Sequence, residues 1–116
     1  TSELGRHCRA HGLALLPGVA TATEVMVARA DGHDFLKLFP AVACGGIALL
    51  EALRGPFPDV RFCPTGGIDG ANARDWLALE TVLCVGGSWV APRQAVRARD
   101  WRAITALSAG ALAGLA

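Results

Sequence analysis

Apolar runs separated by turn-forming residues recur four times along the chain. The runs are Leu13 to Leu16, Phe35 to Phe39, Val60 to Cys63 and Thr81 to Val85. Each is followed by a turn rich in glycine, proline, threonine or serine, and then by a stretch of helical character. Short apolar runs bounded by such turns are typical of strands that are buried on both faces. The pattern therefore predicts four strands that alternate with helices.

The predicted helices cover residues 23–30, 46–53, 71–79 and 100–112, and residues 1–11 resemble the end of an earlier helix. Thr21 and Glu24 have the spacing of a capping box, which explains Glu24 as a helix-start residue without a catalytic role. Regular alternation of strand and helix favours parallel β/α units with right-handed crossovers. The predicted fold class is therefore α/β, with function built at the carboxyl ends of the strands.

The length of the chain restricts the architecture. A full (β/α)₈ barrel takes about 250 residues, and the chain has 116. Four parallel strands would leave two open sheet edges, so the sequence predicts either a small open sheet or half a TIM-type barrel. Because the sequence does not begin with methionine, we expect the second, with the chain covering about the last four β/α units.

Composition and charge indicate a folded domain without a nucleic-acid surface. Hydrophobic residues make up 53% of the chain, charged residues 18%, and the net charge is +1. Four clustered arginines are interrupted by Asp100 and have no aromatic residues between them, which favours a solvated helix face: Arg93, Arg97, Arg99 and Arg102.

We expect a cytoplasmic protein that does not enter a membrane. The amino-terminal residues lack the pattern of a signal peptide, and the apolar run of residues 103–116 is shorter than the ~20 residues that span a bilayer. The cysteines are widely spaced and include no CxxC pair, which is typical of reduced thiols: Cys8, Cys44, Cys63 and Cys84. His7 and His11 could share a helix face, but no further ligands are placed beside them, so we predict no metal site.

Lys37 is the only lysine in the chain, and it lies within an apolar strand. Alternation places Phe35, Lys37 and Phe39 on one face of that strand. Burial of an ammonium group lowers its pKa from about 10.4 towards neutrality, and the resulting amine can form a Schiff base with a carbonyl substrate. In the alternative interpretation, Lys37 lies at a strand end with its stem buried and its amine in water.

Two glycine turns follow consecutive predicted strands. They are Thr65-Gly66-Gly67 and Gly86-Gly87-Ser88. Glycine allows close approach of the backbone, free N–H groups at such turns form an anion cradle, and Thr65 and Ser88 add hydroxyl donors. In (β/α)₈ barrels the loops after the last two strands often bind phosphate. If the chain is the carboxyl-terminal half of a barrel, these two turns follow the last two strands and are expected to bind phosphate. Neither turn matches a Walker loop or a dinucleotide fingerprint.

Four segments together resemble the 2-keto-3-deoxy-6-phosphogluconate (KDPG) aldolases. They are Leu16-Pro17-Gly18-Val19-Ala20-Thr21, Phe35-Leu36-Lys37-Leu38-Phe39-Pro40-Ala41, Arg61-Phe62-Cys63-Pro64-Thr65-Gly66-Gly67-Ile68 and Val82-Leu83-Cys84-Val85-Gly86-Gly87-Ser88-Trp89. The resemblance covers nearly the whole chain and corresponds to the carboxyl-terminal half of that family.

The resemblance implies a class I aldolase on a (β/α)₈ barrel, usually a homotrimer, that needs no cofactor and belongs to the Entner–Doudoroff pathway. Such an enzyme splits KDPG, a small phosphorylated keto acid, into pyruvate and glyceraldehyde 3-phosphate, and many members also cleave 4-hydroxy-2-oxoglutarate. By resemblance, Lys37 forms the Schiff base, Thr65 contacts substrate and Phe39 lines the pocket. The implied phosphate ligands are Gly66, Gly67 and Ser88.

Some family features are expected to lie outside this sequence. The resemblance implies that a glutamate acting as general acid/base, and an arginine and threonine that hold the pyruvate carboxylate, precede Thr1. Many relatives also carry an acid where this chain has Val42. These departures leave two alternatives open: a non-catalytic phosphate-binding or assembly half-barrel, and an aldolase specific for the galactonate epimer.

Overall fold

The structure, a computed structural model, describes residues 1–115. Its elements in chain order are α1 (Ser2–Ala10), β1 (Gly18–Val19), α2 (Ala22–Ala30), β2 (Phe35–Leu38), α3 (Gly46–Arg54), β3 (Arg61–Pro64), α4 (Ala73–Leu77), α5 (Arg93–Ala98) and α6 (Trp101–Leu115). The alternating order confirms the predicted α/β class.

The three strands form one parallel sheet in the order β1-β2-β3. Lys37 lies at the centre of it, because its register partners are Gly18 on β1 and Cys63 on β3. The amide of Lys37 donates to the carbonyl oxygen of Pro17 at 2.8 Å, and the amide of Phe39 donates to that of Val19 at 3.0 Å. The sheet thus holds the backbone of Lys37 from both sides.

One face of β2 belongs to the hydrophobic core. Leu36 and Leu38 are completely buried and share one apolar cluster with Leu50 of α3 and Phe62 of β3. Truncation of such a buried leucine to alanine costs about 2–5 kcal/mol of folding free energy. Since alternate residues of a strand face opposite sides, the core directs Lys37 to the other face of the sheet.

Two of the four predicted strands are wrong. Residues 13–16 form no strand, and β1 lies after them, at Gly18–Val19, where pairing with β2 occurs. The run Thr81 to Val85 forms only isolated parallel bridges, from Val82 to Phe62 and from Gly86 to Thr65. Thr65 follows Phe62 by three residues, whereas Gly86 follows Val82 by four. The extra residue between the two bridges interrupts the ladder as a bulge does.

The predicted helices are confirmed with small differences, except that α4 covers only Ala73–Leu77 and α5 was not predicted. The arginine cluster lies exposed on α5, at its end and on α6, as predicted. Among residues 1–115 no helix combines the length and the apolar character needed to cross a membrane.

The capping box at the start of α2 is also confirmed. One carboxylate oxygen of Glu24 accepts hydrogen bonds from the amides of Ala20 and Thr21, at 2.7 and 2.9 Å. The hydroxyl of Thr21 in turn accepts from the amide of Glu24. The hydrogen bond from the Ala20 amide, followed by the one from the Thr21 hydroxyl, lowers the pKa of Glu24 below its usual value.

Candidate active site

Lys37 projects from the face of β2 that the core leaves free. Its side chain is half-buried, so it is more exposed than the sequence predicted, because the opposite face of β2 carries the fully buried leucines. The Nζ atom lies 5.0 Å from the centre of the Phe39 ring, within the range of a cation–π contact. Neither of the ion pairs found in residues 1–115 involves Lys37. The amine is therefore neighboured by an aromatic ring and has no carboxylate partner in the described part of the chain.

The segment after β2 folds against the first glycine turn. The Phe39–Pro40 peptide bond is cis. The amide of Ala41 donates to the carbonyl of Thr65 at 2.8 Å, and that of Val42 donates to the carbonyl of Gly66 at 3.1 Å. A Cβ atom on Gly66 would lie 3.2 Å from the Phe39 ring. Phe39 therefore contacts the amine on one side and lies against the glycine turn on the other.

A pocket of about 350 Å³ lies beyond the carboxyl ends of β2 and β3. Its walls are Phe39, Thr65, Gly66, Gly67, Ile68, Gly87 and Ser88. Five of the six candidate site residues predicted from the sequence thus line one pocket. The sixth, Lys37, does not line it, but its amine contacts the Phe39 ring, which does. A larger cavity of about 500 Å³ lies beside β1, between α1 and α2, and contains none of these six residues.

The pocket wall is rich in free amide groups. Within residues 1–115, no side chain or carbonyl accepts a hydrogen bond from five of its amides: those of Gly66, Gly67, Ile68, Gly87 and Ser88. Ile68 is buried and Gly66 and Gly87 are half-buried, and amides in such places normally have partners, whereas Gly67 and Ser88 are exposed to water. Several free amides at successive turn positions form an anion-binding concavity. The wall is therefore suited to an anionic group of small size.

Backbone conformation and close packing both require glycine here. Gly66 and Gly67 have φ angles of +99° and +80°, which other residues adopt only with strain. A Cβ on Gly86 would collide with the side chain of Thr65, and one on Gly87 would collide with the Trp89 ring. The two turns therefore approach each other as closely as their backbones allow.

Two thiols lie next to each other, that of Cys63 on β3 and that of Cys84 on the run that follows α4. The sulfur of Cys63 lies 3.9 Å from the Thr65 hydroxyl oxygen. Cys84 is exposed as a residue, but partial burial of its thiol and the adjacent Cys63 thiol raise its pKa to about 11. A thiol with such a pKa is protonated at neutral pH and is a poor nucleophile. The four cysteines are free, as the sequence predicted.

His7 of α1 and His11 at its C-cap lie outside this pocket. Their ring centres are 4.2 Å apart. In the described residues no three side chains of histidine, cysteine, aspartate or glutamate form a group that could hold a metal ion. Sequence reasoning placed Gly87 in an anion-binding turn without naming it as a ligand, and it missed the contribution of Ile68 to the pocket wall. The position of Ile68 directly after a glycine pair was the available signal.

A parallel β/α sheet with its pocket where the strands end is the arrangement of a part of a (β/α)₈ barrel. The chain belongs to the KDPG and KHG aldolase family, whose model matches residues 1–107.

Known relatives agree with this assignment. The chain is 49% identical, over 97% of its length, to the 2-dehydro-3-deoxy-phosphogluconate aldolase of Pseudomonas aeruginosa. It is similar to the crystal structure of KDPG aldolase from Legionella pneumophila with pyruvate captured as a covalent carbinolamine, at 47% identity over 82% of the chain, with a TM-score of 0.79. It is also similar to the Zymomonas mobilis enzyme with 3-phosphoglycerate, at 48% identity over 80% of the chain, with a TM-score of 0.77.

The chain spans about half the length of these relatives. It covers 51% of the Pseudomonas protein, 46% of the Legionella structure and 44% of the Zymomonas structure.

Proposed function

We propose that the protein is a class I aldolase that cleaves KDPG to pyruvate and glyceraldehyde 3-phosphate. One observation carries the proposal: the Lys37 amine and a pocket walled by free amides lie near the carboxyl ends of the strands, with the Phe39 ring between them. An amine and an anion site so arranged can hold a phosphorylated keto acid at both ends. The covalent pyruvate adduct of the Legionella relative and the 3-phosphoglycerate of the Zymomonas relative support it.

In the proposed reaction the free amine of Lys37 attacks the keto carbon of the substrate. The resulting carbinolamine loses water and becomes an iminium ion, which withdraws electrons from the C3–C4 bond. A base removes the proton of the C4 hydroxyl, the C3–C4 bond breaks, and the aldehyde phosphate leaves. The enamine that remains takes up a proton and is hydrolysed to pyruvate, which restores Lys37.

The remaining site residues are proposed to bind the substrate. Thr65 contacts the keto-acid portion, and Phe39 covers the path between amine and phosphate. The phosphate is held by the amides of Gly66 and Gly67 and by Ser88. The general base belongs to strands outside Thr1–Ala116, as the resemblance implies. The proposal also includes the assignment as half a barrel, a homotrimer, a cytoplasmic location and a place in the Entner–Doudoroff pathway.

A cleavage assay on two substrates tests these roles. A charge-assisted hydrogen bond contributes about 1.5–3 kcal/mol, so Ser88→Ala should raise KM for KDPG roughly 10- to 100-fold. The same variant should leave KM for 4-hydroxy-2-oxoglutarate, which has no phosphate, unchanged. Equal effects on both substrates would contradict a phosphate role. Turnover of the C4 epimer of KDPG in preference to KDPG would assign the protein to the galactonate-specific alternative.

A second candidate is a phosphate-binding half-barrel without catalysis. It is favoured by the lack of an ion pair between Lys37 and any carboxylate within residues 1–115. A positioned acid/base contributes about 10²–10⁴-fold to the rate, so a chain without one should bind substrate and turn it over poorly. Calorimetry with KDPG together with the cleavage assay, both on the complete protein, separates the two candidates. Saturable binding without cleavage by the complete protein would support the non-catalytic half-barrel and contradict the aldolase.

A further inference from the structure

The Asn72 side chain is bonded to the first glycine turn and not to its own helix. Asn72 occupies the N-cap position of α4, where asparagine normally accepts a hydrogen bond from an amide of the first helical turn. No such bond forms here. Instead, its Nδ2 donates to the carbonyl oxygen of Gly67 at 3.0 Å, and its Oδ1 accepts from the amide of Asp69 at 3.1 Å. One side-chain amide thus binds the backbone on both sides of Ile68.

The contact from Asn72 Nδ2 to the Gly67 carbonyl fixes the orientation of the peptide unit between Gly67 and Ile68, and the contact from the Asp69 amide holds the Asn72 side chain in place. The unit is trans, because Phe39–Pro40 is the cis bond found in residues 1–115. In a trans peptide the carbonyl and the N–H point in opposite directions. A Gly67 carbonyl held by Asn72 therefore turns the Ile68 amide away from Asn72, which does not line the pocket.

The Ile68 amide is among those without an acceptor, and Ile68 lines the pocket wall. Gly67 has a φ angle of +80°, so this peptide unit would sample other orientations if nothing held it. Loss of the Asn72 contact would therefore misalign a donor at the anion site without removing any group that touches the anion.

We infer that Asn72 is a positioning residue: it fixes the Gly67–Ile68 peptide so that the Ile68 amide can donate to the phosphate group of the substrate. The inference rests on the proposed phosphate site. Asn72 acts from behind the turn and has no contact with the phosphate itself.

Two substitutions separate this role from helix capping. Serine and aspartate are both good N-cap residues, so Asn72→Ser and Asn72→Asp preserve the start of α4. Serine is too short to bridge Gly67 and Asp69, and aspartate lacks the donor for the Gly67 carbonyl. Inorganic phosphate is titrated into the chain while backbone amide shifts are followed by NMR. Reductive trapping of pyruvate on Lys37 is measured on the same samples.

We expect the unchanged protein to bind phosphate with saturable shifts at Gly67 and Ile68. Both variants should bind roughly five- to tenfold more weakly, which corresponds to one hydrogen bond of about 1 kcal/mol. Pyruvate trapping should be unchanged in both, whereas general damage to the fold would reduce it as well.

Three results would overturn the inference. Phosphate affinity of Asn72→Ser equal to that of the unchanged protein would show that Asn72 does not position the turn. Loss of affinity in Asn72→Asp alone would assign the effect to charge repulsion. Absence of phosphate binding by the unchanged protein would overturn the phosphate site itself, and the positioning role with it.

Discussion

Gly67 shows how strongly a single residue constrains the candidate site. Its φ angle of +80° is strained for any residue with a side chain, and a Cβ there would lie 2.6 Å from a methyl carbon of Val42. The turn can therefore neither change its backbone nor accept a larger residue without moving Val42.

Gly67→Ala should lower the free energy of unfolding by about 1–3 kcal/mol, through positive-φ strain and the clash with Val42. Gly110→Ala is the matched control, because Gly110 lies in α6 and a Cβ added there would meet nothing within 4 Å. There alanine should stabilise the protein by about 0.5–1 kcal/mol. Urea unfolding of both variants measures the difference, and equal effects would contradict the constraint at Gly67.

At the scale of elements, the capping box of α2 links its stability to pH. The folded-state pKa of Glu24 is lowered, so its contribution is present above the unfolded value of 4.5 and is lost as pH falls through the folded pKa. Glu24 is exposed, so screening keeps the contribution small, at about 0.3–1 kcal/mol.

Glu24→Gln keeps an oxygen acceptor for the cap but removes its charge. It should lower the free energy of unfolding by that amount at pH 7, and this difference should disappear as pH falls through the folded-state pKa of Glu24. Glu51→Gln, on the exposed surface of α3, is the control. Urea titrations at a series of pH values from 7 downwards give the comparison. A Glu24→Gln effect that does not diminish as the pH is lowered would show that its charge is not responsible.

The elements differ in how far the sequence determines them. β2 was predictable because Leu36 and Leu38 alternate with Lys37 and the apolar run ends at Pro40. The leucines before Pro17 are equally apolar, yet pairing depends on register with β2, which no local pattern encodes. The bulge opposite β3 was likewise hidden, because it depends on hydrogen bonds to Phe62 and Pro64 from a distant segment.

The candidate site was predictable to the extent that its chemistry is local. Thr65, Gly66 and Gly67 are adjacent in sequence, and parallel strands bring the turn at Ser88 to the same edge. The role of Asn72 was not predictable, because N-cap asparagine has an ordinary structural explanation and only the three-dimensional contacts depart from it. The sequence could not decide between a buried Lys37 and the alternative with a partly exposed side chain, since burial depends on what covers the face of the sheet opposite the core.

At the scale of the whole molecule, the sheet formed by residues 1–115 has two free edges. Within these residues β1 pairs only with β2, and on the other side the run after Thr81 carries Leu83 with 59% of its surface exposed. Unpaired edges with apolar side chains favour pairing with another chain. The chain is therefore expected to self-associate through its sheet edges when it is isolated.

Sedimentation velocity of Thr1–Ala116 should show an average mass that rises with concentration. Leu83→Lys places a charge at the edge and should shift the distribution towards monomer. Met26→Lys is the matched control, because Met26 is 58% exposed on α2, away from the edges, and should have no effect. A monomer at all concentrations, or equal effects of both variants, would contradict edge pairing.

The central claim is that Lys37 forms a Schiff base with a keto acid. Because Lys37 is the only lysine, borohydride reduction in the presence of pyruvate can label one ε-amine, and peptide mass spectrometry locates the label. Lys37→Arg, which keeps the positive charge but cannot form the imine, is the control. The account predicts a reduced pyruvate adduct on the peptide that contains Lys37 and none in the variant. An unlabelled Lys37, or an adduct confined to the amino terminus in both proteins, would contradict it.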